Sequence, residues 1–540
     1  MTTTPVTEQP VYRTITTGLL ARKVETLFGV VGEDTIALVH DLELAGVHYV
    51  GARHESAAVA MADGYSWATG RLGVCTVTRG PGLTNALTAC RTAVRRGQRL
   101  LILTGDNPAV TSGGGFYKDI DQGPVCRSVG LEYFAAAEPE EIAPALHAAL
   151  EAAEAGRPAV LAVTADVLNR ATGGTGEVSP EAPAPVAVEP STDDVARLAE
   201  LLGAAERPLI LAGQGAFGAR DELVRLSERT GALIGTTLLA KGLFRGESYD
   251  VGVIGGFASD PVAPLLPEAD LLVAFGAAIN PFTTAEWALF QDIPVVQVAL
   301  ERRADPAAPV TLSIAADAAL TAERVLEAVT SPASPPGAEV LERLAAPVYS
   351  GGDESTADEL DPRAVATALD ELLPPDRVLV LDSGRFMNAP GKYVYVQDPP
   401  SIRHTAEGGS IGLGLGVALG AAAGRPERTT VLFTGDGGLS MALADLETAH
   451  RHGLPLIVVV MNDRAYGSEL NVLASMGLPG EMAELPDMDF AAVAAAVGIE
   501  GHTVRTVAEL RALAPALSGR SAPLLVDCKI RQDLVVPRNA

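Results

Sequence analysis

Residues 431–467 read VLFTGDGGLSMALADLETAHRHGLPLIVVVMNDRAYG. A β-branched apolar run ends at Thr434, turns through Gly435-Asp436-Gly437-Gly438 and continues as a helix-like segment. A second apolar run, Leu456 to Met461, ends at Asn462-Asp463. The pattern predicts strand, glycine-rich turn, helix and strand, with an acid at the carboxyl end of each strand. Open α/β sheets bind ligands at that edge. Two side-chain oxygens beside backbone open enough for a phosphate suit a hard cation such as Mg²⁺ carrying a diphosphate. The competing reading is an ordinary βαβ unit whose strands end in turn-forming Asp.

At 540 residues the chain is too long for one core and predicts about three domains, at roughly 150 residues each. A hydrophobic content of 48% and a mean hydropathy of +0.23 supply large cores. The formal charge of -27 argues against nucleic acid and anionic membrane surfaces as partners. Cys75, Cys90, Cys126 and Cys528 show no CxxC pairing, which fits a reducing cytoplasm rather than a disulfide framework or zinc site. The opening MTTTPVTEQP has neither the basic nor the apolar segment of a signal peptide. In the uncharged stretch Gly408 to Gly424, the spacing of Gly412, Gly414 and Gly416 favours a loop or close packing over a membrane helix.

The order of elements predicts an α/β protein of three doubly wound parallel-sheet domains, at 1–170, 193–330 and 362–540. Strands are expected at Thr26 to Val31, Val47 to Val50, Gly73 to Thr78, Leu100 to Thr104 and Ala159 to Val163 in the first domain. The second domain offers Pro208 to Ala212, Ala232 to Thr236, Leu271 to Phe275 and Pro294 to Val298. The third offers Val378 to Leu381, Thr430 to Phe433, Leu456 to Met461 and Leu524 to Asp527. Residues 171–192, and the stretch from 331 to about 361, read as linkers. A weak echo, RGQRLLILTGD at 96–106 against HGLPLIVVV at 452–460, suggests that the first and third domains share a topology.

Gly435-Asp436-Gly437 followed by Asn462-Asp463 resembles the thiamin diphosphate signature that begins GDG and ends in NN. With Arg53-His54-Glu55 and Thr78-Arg79-Gly80-Pro81-Gly82 upstream, nearly the whole chain resembles the acetohydroxyacid synthase and pyruvate decarboxylase superfamily. The resemblance implies a pyrimidine-binding first domain, a central domain and a diphosphate-binding third domain. It implies Mg²⁺ held by Asp436, Asp463 and the Ala465 carbonyl, with Gly435, Gly437, Gly438 and Tyr466 also lining the cofactor. Asp463 departs from the family's Asn, adding a negative charge beside a diphosphate. Arg385, in the loop with Gly384 and Phe386 that the family places against the diphosphate, is the candidate to offset it; a solvated loop Arg is the alternative.

Glu55 matches the glutamate that shares a proton with the aminopyrimidine ring in a mostly apolar pocket, and Ile411 the apolar wedge that bends the cofactor. Gly115 to Gln122 resembles the substrate loop of benzaldehyde lyase and oxalyl-CoA decarboxylase through Ile120-Asp121-Gln122. Arg79 and Lys118 could grip a substrate carboxylate, with Tyr117 and Gln122 beside them. Glu33 and Glu469 fall where pyruvate decarboxylases carry functional acids; either could relay protons or simply cap a helix. No histidine lies between His54 and His147, so the adjacent His pair of pyruvate decarboxylases is missing, against simple aldehyde release. The GxGxxG at Gly213 to Gly218 lacks the acid a dinucleotide site wants, and no FAD is expected. The implied reaction is decarboxylation of a 2-oxo acid with transfer of the acyl carbanion to a carbonyl acceptor, as in acetolactate synthase. A lyase or carboligase acting on 2-hydroxy ketones or 2-hydroxyacyl-CoA is the nearest rival; a flavin oxidase or a non-catalytic paralogue is the more distant one. Family precedent shares each site between two chains, implying a homodimer or homotetramer.

Overall fold

A computed structural model describes residues 9–107, 117–172, 187–300, 307–330, 335–519 and 521–537. Its backbone forms three six-stranded parallel sheets flanked by helices, the α/β architecture expected. The first sheet contains β1 (Thr26–Gly29), β2 (His48–Gly51), β3 (Gly73–Val77), β4 (Leu100–Asp106), β5 (Glu132–Ala136) and β6 (Ala159–Thr164), in the order β2-β1-β3-β4-β6-β5. The second contains β7 (Pro208–Ala212), β8 (Leu233–Thr236), β9 (Asp250–Val253), β10 (Leu271–Phe275), β11 (Val295–Val298) and β12 (Leu312–Ile314), in the order β9-β8-β7-β10-β11-β12. The third contains β13 (Arg377–Leu381), β14 (Ile402–His404), β15 (Thr429–Gly435), β16 (Leu456–Asn462), β17 (Glu500–Val504) and β18 (Leu524–Lys529), in the order β14-β13-β15-β16-β18-β17. The first and third orders are the same, so the weak sequence echo reflects a shared topology.

Central strands such as β4, β6, β15 and β16 are buried almost end to end around apolar stretches because helices cover both faces. The strands that the apolar runs do not reveal are β5, β9, β12, β14 and β17, all at a sheet edge or, for β9 and β12, at the ends of the second sheet. Edge strands bury less, so β5 and β17 carry mixed residues such as Glu132-Tyr133 and Glu500-Gly501-His502. Among the described residues no helix is long and apolar enough to cross a membrane.

The first and third domains are locked by two helices, α1 (Glu55–Thr69) and α2 (Gly414–Gly424). The glycine-rich stretch is therefore a helix used for close packing. A Cβ on Gly420 would lie 1.8 Å from the Met61 carbonyl oxygen, and one on Gly64 would lie 2.0 Å from that of Val417. One apolar core runs from Phe28 and Ile102 through Met61 and Val417 to Leu432 and Val458. Gly420→Ala should cost about 3 kcal/mol, because rigid backbone faces the new methyl and outweighs the roughly 1 kcal/mol gain in helix propensity. Gly203→Ala, in a helix with nothing within 4 Å, should instead raise the melting temperature. Calorimetric melting of both variants tests the contrast.

Candidate active site

In the third sheet the chain runs from β13 outward to β14 and then returns across β13 to β15, so the switch point lies between β13 and β15. Asp382 leaves β13 and is fully enclosed. Its Oδ1 accepts from the Ser383 amide at 2.9 Å, the Thr405 hydroxyl at 2.7 Å and the Gly414 amide at 3.3 Å. Its Oδ2 accepts from the Gly412 amide at 3.1 Å and the Thr434 hydroxyl at 3.2 Å. One carboxylate thus ties together the Gly384 loop, the turn after Ile411 and the end of β15. Burial pushes its pKa up, and the hydrogen bonds from Thr405, Ser383, Gly412 and Thr434 hold it back.

Asp436 follows β15 and Asp463 follows β16, both buried. Burial raises both carboxyls; the charge of Asp463 pushes Asp436 up further, while Arg385 pulls Asp463 back. Asp436 Oδ2 is buried with no hydrogen-bond partner. Arg385 donates to Asp463 Oδ2 from Nε at 3.0 Å and from its second terminal nitrogen at 2.7 Å. The preceding Asn462 is buried and anchored, its amide donating to Asp527 Oδ1 at 3.0 Å. Arg464, at φ 57, then turns the chain so that the Ala465 amide faces both carboxylates.

The glycines here are filled by neighbours. Phe386 crosses Gly384 and Gly435, the Tyr466 ring covers Gly437, and Asp382 Oδ2 would sit 2.6 Å from a Cβ on Gly438. Ile411 is half-buried in the turn before α2, which at Gly412 adopts φ 83. An orphaned buried carboxylate oxygen facing a second carboxylate fits a divalent cation. Among the described residues no group of three His, Cys, Asp or Glu forms a metal cage, so a cation here would need backbone and ligand oxygens as well.

The first domain presents its own switch point, between β1 and β3. Glu33 accepts from Lys118 Nζ at 3.1 Å and the Tyr117 hydroxyl at 3.2 Å, and Arg79 approaches at 3.6 Å. Hydrogen bonding and charge from Lys118 hold the Glu33 carboxyl below its usual range. Lys118 also donates to the Thr78 hydroxyl at 3.2 Å. Gln122 is buried: it accepts from the Gly80 amide and donates to the Gly105 carbonyl, each at 2.9 Å, and so shapes the turn that carries Arg79. The structure therefore gathers Glu33, Arg79, Tyr117, Lys118 and Gln122 in one place; Gly115 and Phe116 lie outside the described residues.

Glu55 opens α1. His54 caps the helix through Ser56, while Arg53 pairs with Glu447 of the third domain at 2.8 Å. Glu55 is half-buried; its Oε2 accepts from Asn85 Nδ2 at 3.1 Å. Glu469 is exposed in the first turn of α3 (Gly467–Ser475).

Sequence reasoning missed Asp382, Asn85 and Asp34. Buried Asp34 accepts from the Thr78 hydroxyl at 2.5 Å and the Arg79 amide at 2.8 Å, fixing the loop on which Arg79 stands. Its place in the Gly32-Glu33-Asp34 turn between β1 and the next helix was the available signal. Nothing in the sequence marks Asn85 or the five partners of Asp382.

Two of the three sheets thus share one topology, each with acids at its switch point. Family models agree: residues 11–125 match the N-terminal TPP binding domain of thiamine pyrophosphate enzymes, 195–325 the central domain and 382–528 the C-terminal TPP binding domain. The chain belongs to the thiamine pyrophosphate enzyme family. It is 29% identical over 526 residues to the probable 2-ketoarginine decarboxylase of Pseudomonas aeruginosa, covering 94% of this chain and 91% of that one. It is 29% identical over 474 residues to an acetolactate synthase large subunit of Escherichia coli, covering 83% and 81%. It is 27% identical over 554 residues to the sulfoacetaldehyde acetyltransferase of Rhodobacter capsulatus, covering 95% and 93%. A candidate thiamin diphosphate-dependent enzyme from Mycobacterium smegmatis superposes with a TM-score of 0.81 at 24% identity, over 97% of this chain and 100% of that one, which agrees in fold.

Proposed function

We propose that this thiamin diphosphate enzyme uses Mg²⁺ and decarboxylates a 2-oxo acid, passing the acyl carbanion to a carbonyl acceptor. The observation that carries the substrate class is the pair of cations, Arg79 and Lys118, gathered by Glu33 at the first domain's switch point. Glu33 is 60% exposed, so a substrate carboxylate can take its place against Lys118 without opening the core. The absence of histidine between His54 and His147 supports transfer to an acceptor over protonation and aldehyde release. Relatives named as a decarboxylase, an acetolactate synthase and an acetyltransferase support chemistry at a carbon beside a carbonyl.

When bound, thiamin diphosphate supplies the electron sink for that carbon. Asp436, Asp463 and the Ala465 carbonyl would hold Mg²⁺, Phe386 and Tyr466 close the glycine floor, and Glu55 holds a proton for the pyrimidine ring. Glu469 stands ready to move a second proton. Flavin is not part of this reading: Gly213 and Gly215 pack against their own chain, with the Gly276 carbonyl 2.3 Å from where a Cβ on Gly213 would lie, and no acid ends the strand that follows. Two copies of the chain complete the site. Exposed Val472, Met476, Leu478 and Met482, on and after α3, supply an apolar face for that contact.

The test is a screen of 2-oxo acids with the full chain, thiamin diphosphate and Mg²⁺, with and without aldehyde or 2-oxo acid acceptors. CO₂ release should rise with acceptor, alongside a ligated product, and should stop on chelation and return with Mg²⁺. Free aldehyde with no acceptor dependence would overturn the transfer step. Cleavage of 2-hydroxy ketones with no CO₂ from any 2-oxo acid would favour the lyase instead.

A further inference from the structure

The second carboxylate at the metal edge poses an electrostatic problem. Asp436 and Asp463 together bring two negative charges, which match a divalent cation and leave nothing to balance a diphosphate. Arg385 lies where that balance is needed. Its side chain is 12% exposed, that of Asp463 8%. Both contacts fall on Oδ2, leaving Oδ1 free of Arg385 and able to face a cation.

The guanidinium is also immobilised. It donates to Asn471 Oδ1 at 3.0 Å and to the Gln532 carbonyl at 2.8 Å. Gln532 closes the loop by donating to the Asp463 carbonyl at 3.1 Å. A guanidinium has five N–H donors, and four contacts are already committed to protein oxygens. Gly467 makes room for this: a Cβ there would lie 2.1 Å from Arg385 Nε. An arginine so engaged has little left to offer an incoming phosphate directly. Its charge acts through the carboxylate it holds.

We propose that Arg385 is the charge-balancing positioning residue of Asp463, holding Oδ2 so that this chain can carry Asp where its family carries Asn and still accept a diphosphate. The proposal rests on the reading that this edge binds Mg²⁺ with thiamin diphosphate. It makes the residue at 463 and the cation at 385 a matched pair, and Gly467 the position that admits the pair.

The experiment is a double-mutant cycle on the full chain, with Arg385→Ala, Arg385→Lys, Asp463→Asn and the Arg385→Ala/Asp463→Asn double variant. Thiamin diphosphate is titrated calorimetrically at saturating Mn²⁺, and Mn²⁺ alone by its paramagnetic resonance signal. Arg385→Ala should weaken thiamin diphosphate binding about 30-fold, because a buried carboxylate loses its partner beside an anion. Mn²⁺ alone should bind that variant as tightly as wild type or tighter, since only negative charge has been gained. Removing Arg385 from the Asp463→Asn protein should cost less than about 3-fold, and Arg385→Lys should recover most of the single-variant loss. Equal losses in both backgrounds would mean that Arg385 contacts the diphosphate itself, and would overturn the proposal while leaving the cofactor reading intact. A parallel loss of Mn²⁺ affinity in Arg385→Ala, unrelieved by Arg385→Lys, would mean a purely structural role and would overturn it too. A wild-type chain that binds neither Mn²⁺ nor thiamin diphosphate would overturn the cofactor reading and this inference with it.

Discussion

Glu55→Gln should lower turnover by about 10²–10⁴-fold, the range for a lost general acid–base group, while thiamin diphosphate still binds. The substitution keeps the shape and the Oε contact from Asn85 at 3.1 Å, and removes only the ability to exchange a proton. The surrounding backbone is fixed independently: Arg53 bonds Glu447 and its amide donates to Asp445 at 2.8 Å, so the start of α1 stays against the third domain. The discriminating measurement is exchange of the cofactor's C2 proton with deuterium, followed by NMR. Fast exchange in wild type and slow exchange in Glu55→Gln assign to Glu55 the proton exchange with the pyrimidine ring that promotes C2 ionisation. Unchanged exchange would move the acid–base role elsewhere, with Glu469 next to be tested.

Asp63→Ala should destabilise the chain by about 3–5 kcal/mol, the cost of stranding a buried charge. Asp63, on α1, accepts from Arg96 at 2.6 Å and from Arg403 at 3.3 Å. Arg96 also reaches Glu407 at 2.9 Å and the His404 carbonyl, so the network crosses from the first domain to the third. Both guanidinium groups are almost fully buried. Burial drives Arg403 down to about 10, with the charge of Arg96 adding to it. Burial opposes ionisation of Glu407, yet His404, Arg96 and Arg403 hold its carboxyl at about 2. Without Asp63, two cations face one remaining acid. Asp63→Asn should fall nearly as far, since it restores volume and not charge. Urea and thermal unfolding of both variants provide the check; a loss under 1 kcal/mol would show that the network is solvated in solution.

The acid-lined edge of the third sheet could be read from the sequence because its residues are contiguous with strand ends. Gly435-Asp436-Gly437 and Asn462-Asp463 each close an apolar run, and a parallel sheet puts such ends side by side. Arg385 was recognisable as a candidate cation, while its geometry was not: the residues that hold it, Asp463, Asn471 and Gln532, are 78, 86 and 147 positions away. Edge strands β5 and β17 were hidden because their half-exposed positions carry polar residues, and β14 because buried Arg403 and His404 interrupt its apolar run. The cluster around Glu33 was named residue by residue, but only the fold shows its cations already sharing one carboxylate.

The sequence alone determined the class of fold, the strand ends that carry acids and the departure at Asp463. These are local features, written in apolar periodicity and turn residues that lie within one strand–turn–helix unit. The tertiary structure decided which distant charges meet: Asp382 with five donors, Asp63 with two arginines, and Arg385 with Asp463. Burial makes those pairings strong, and burial is a property of the packed sheets and helices that no single stretch of chain encodes.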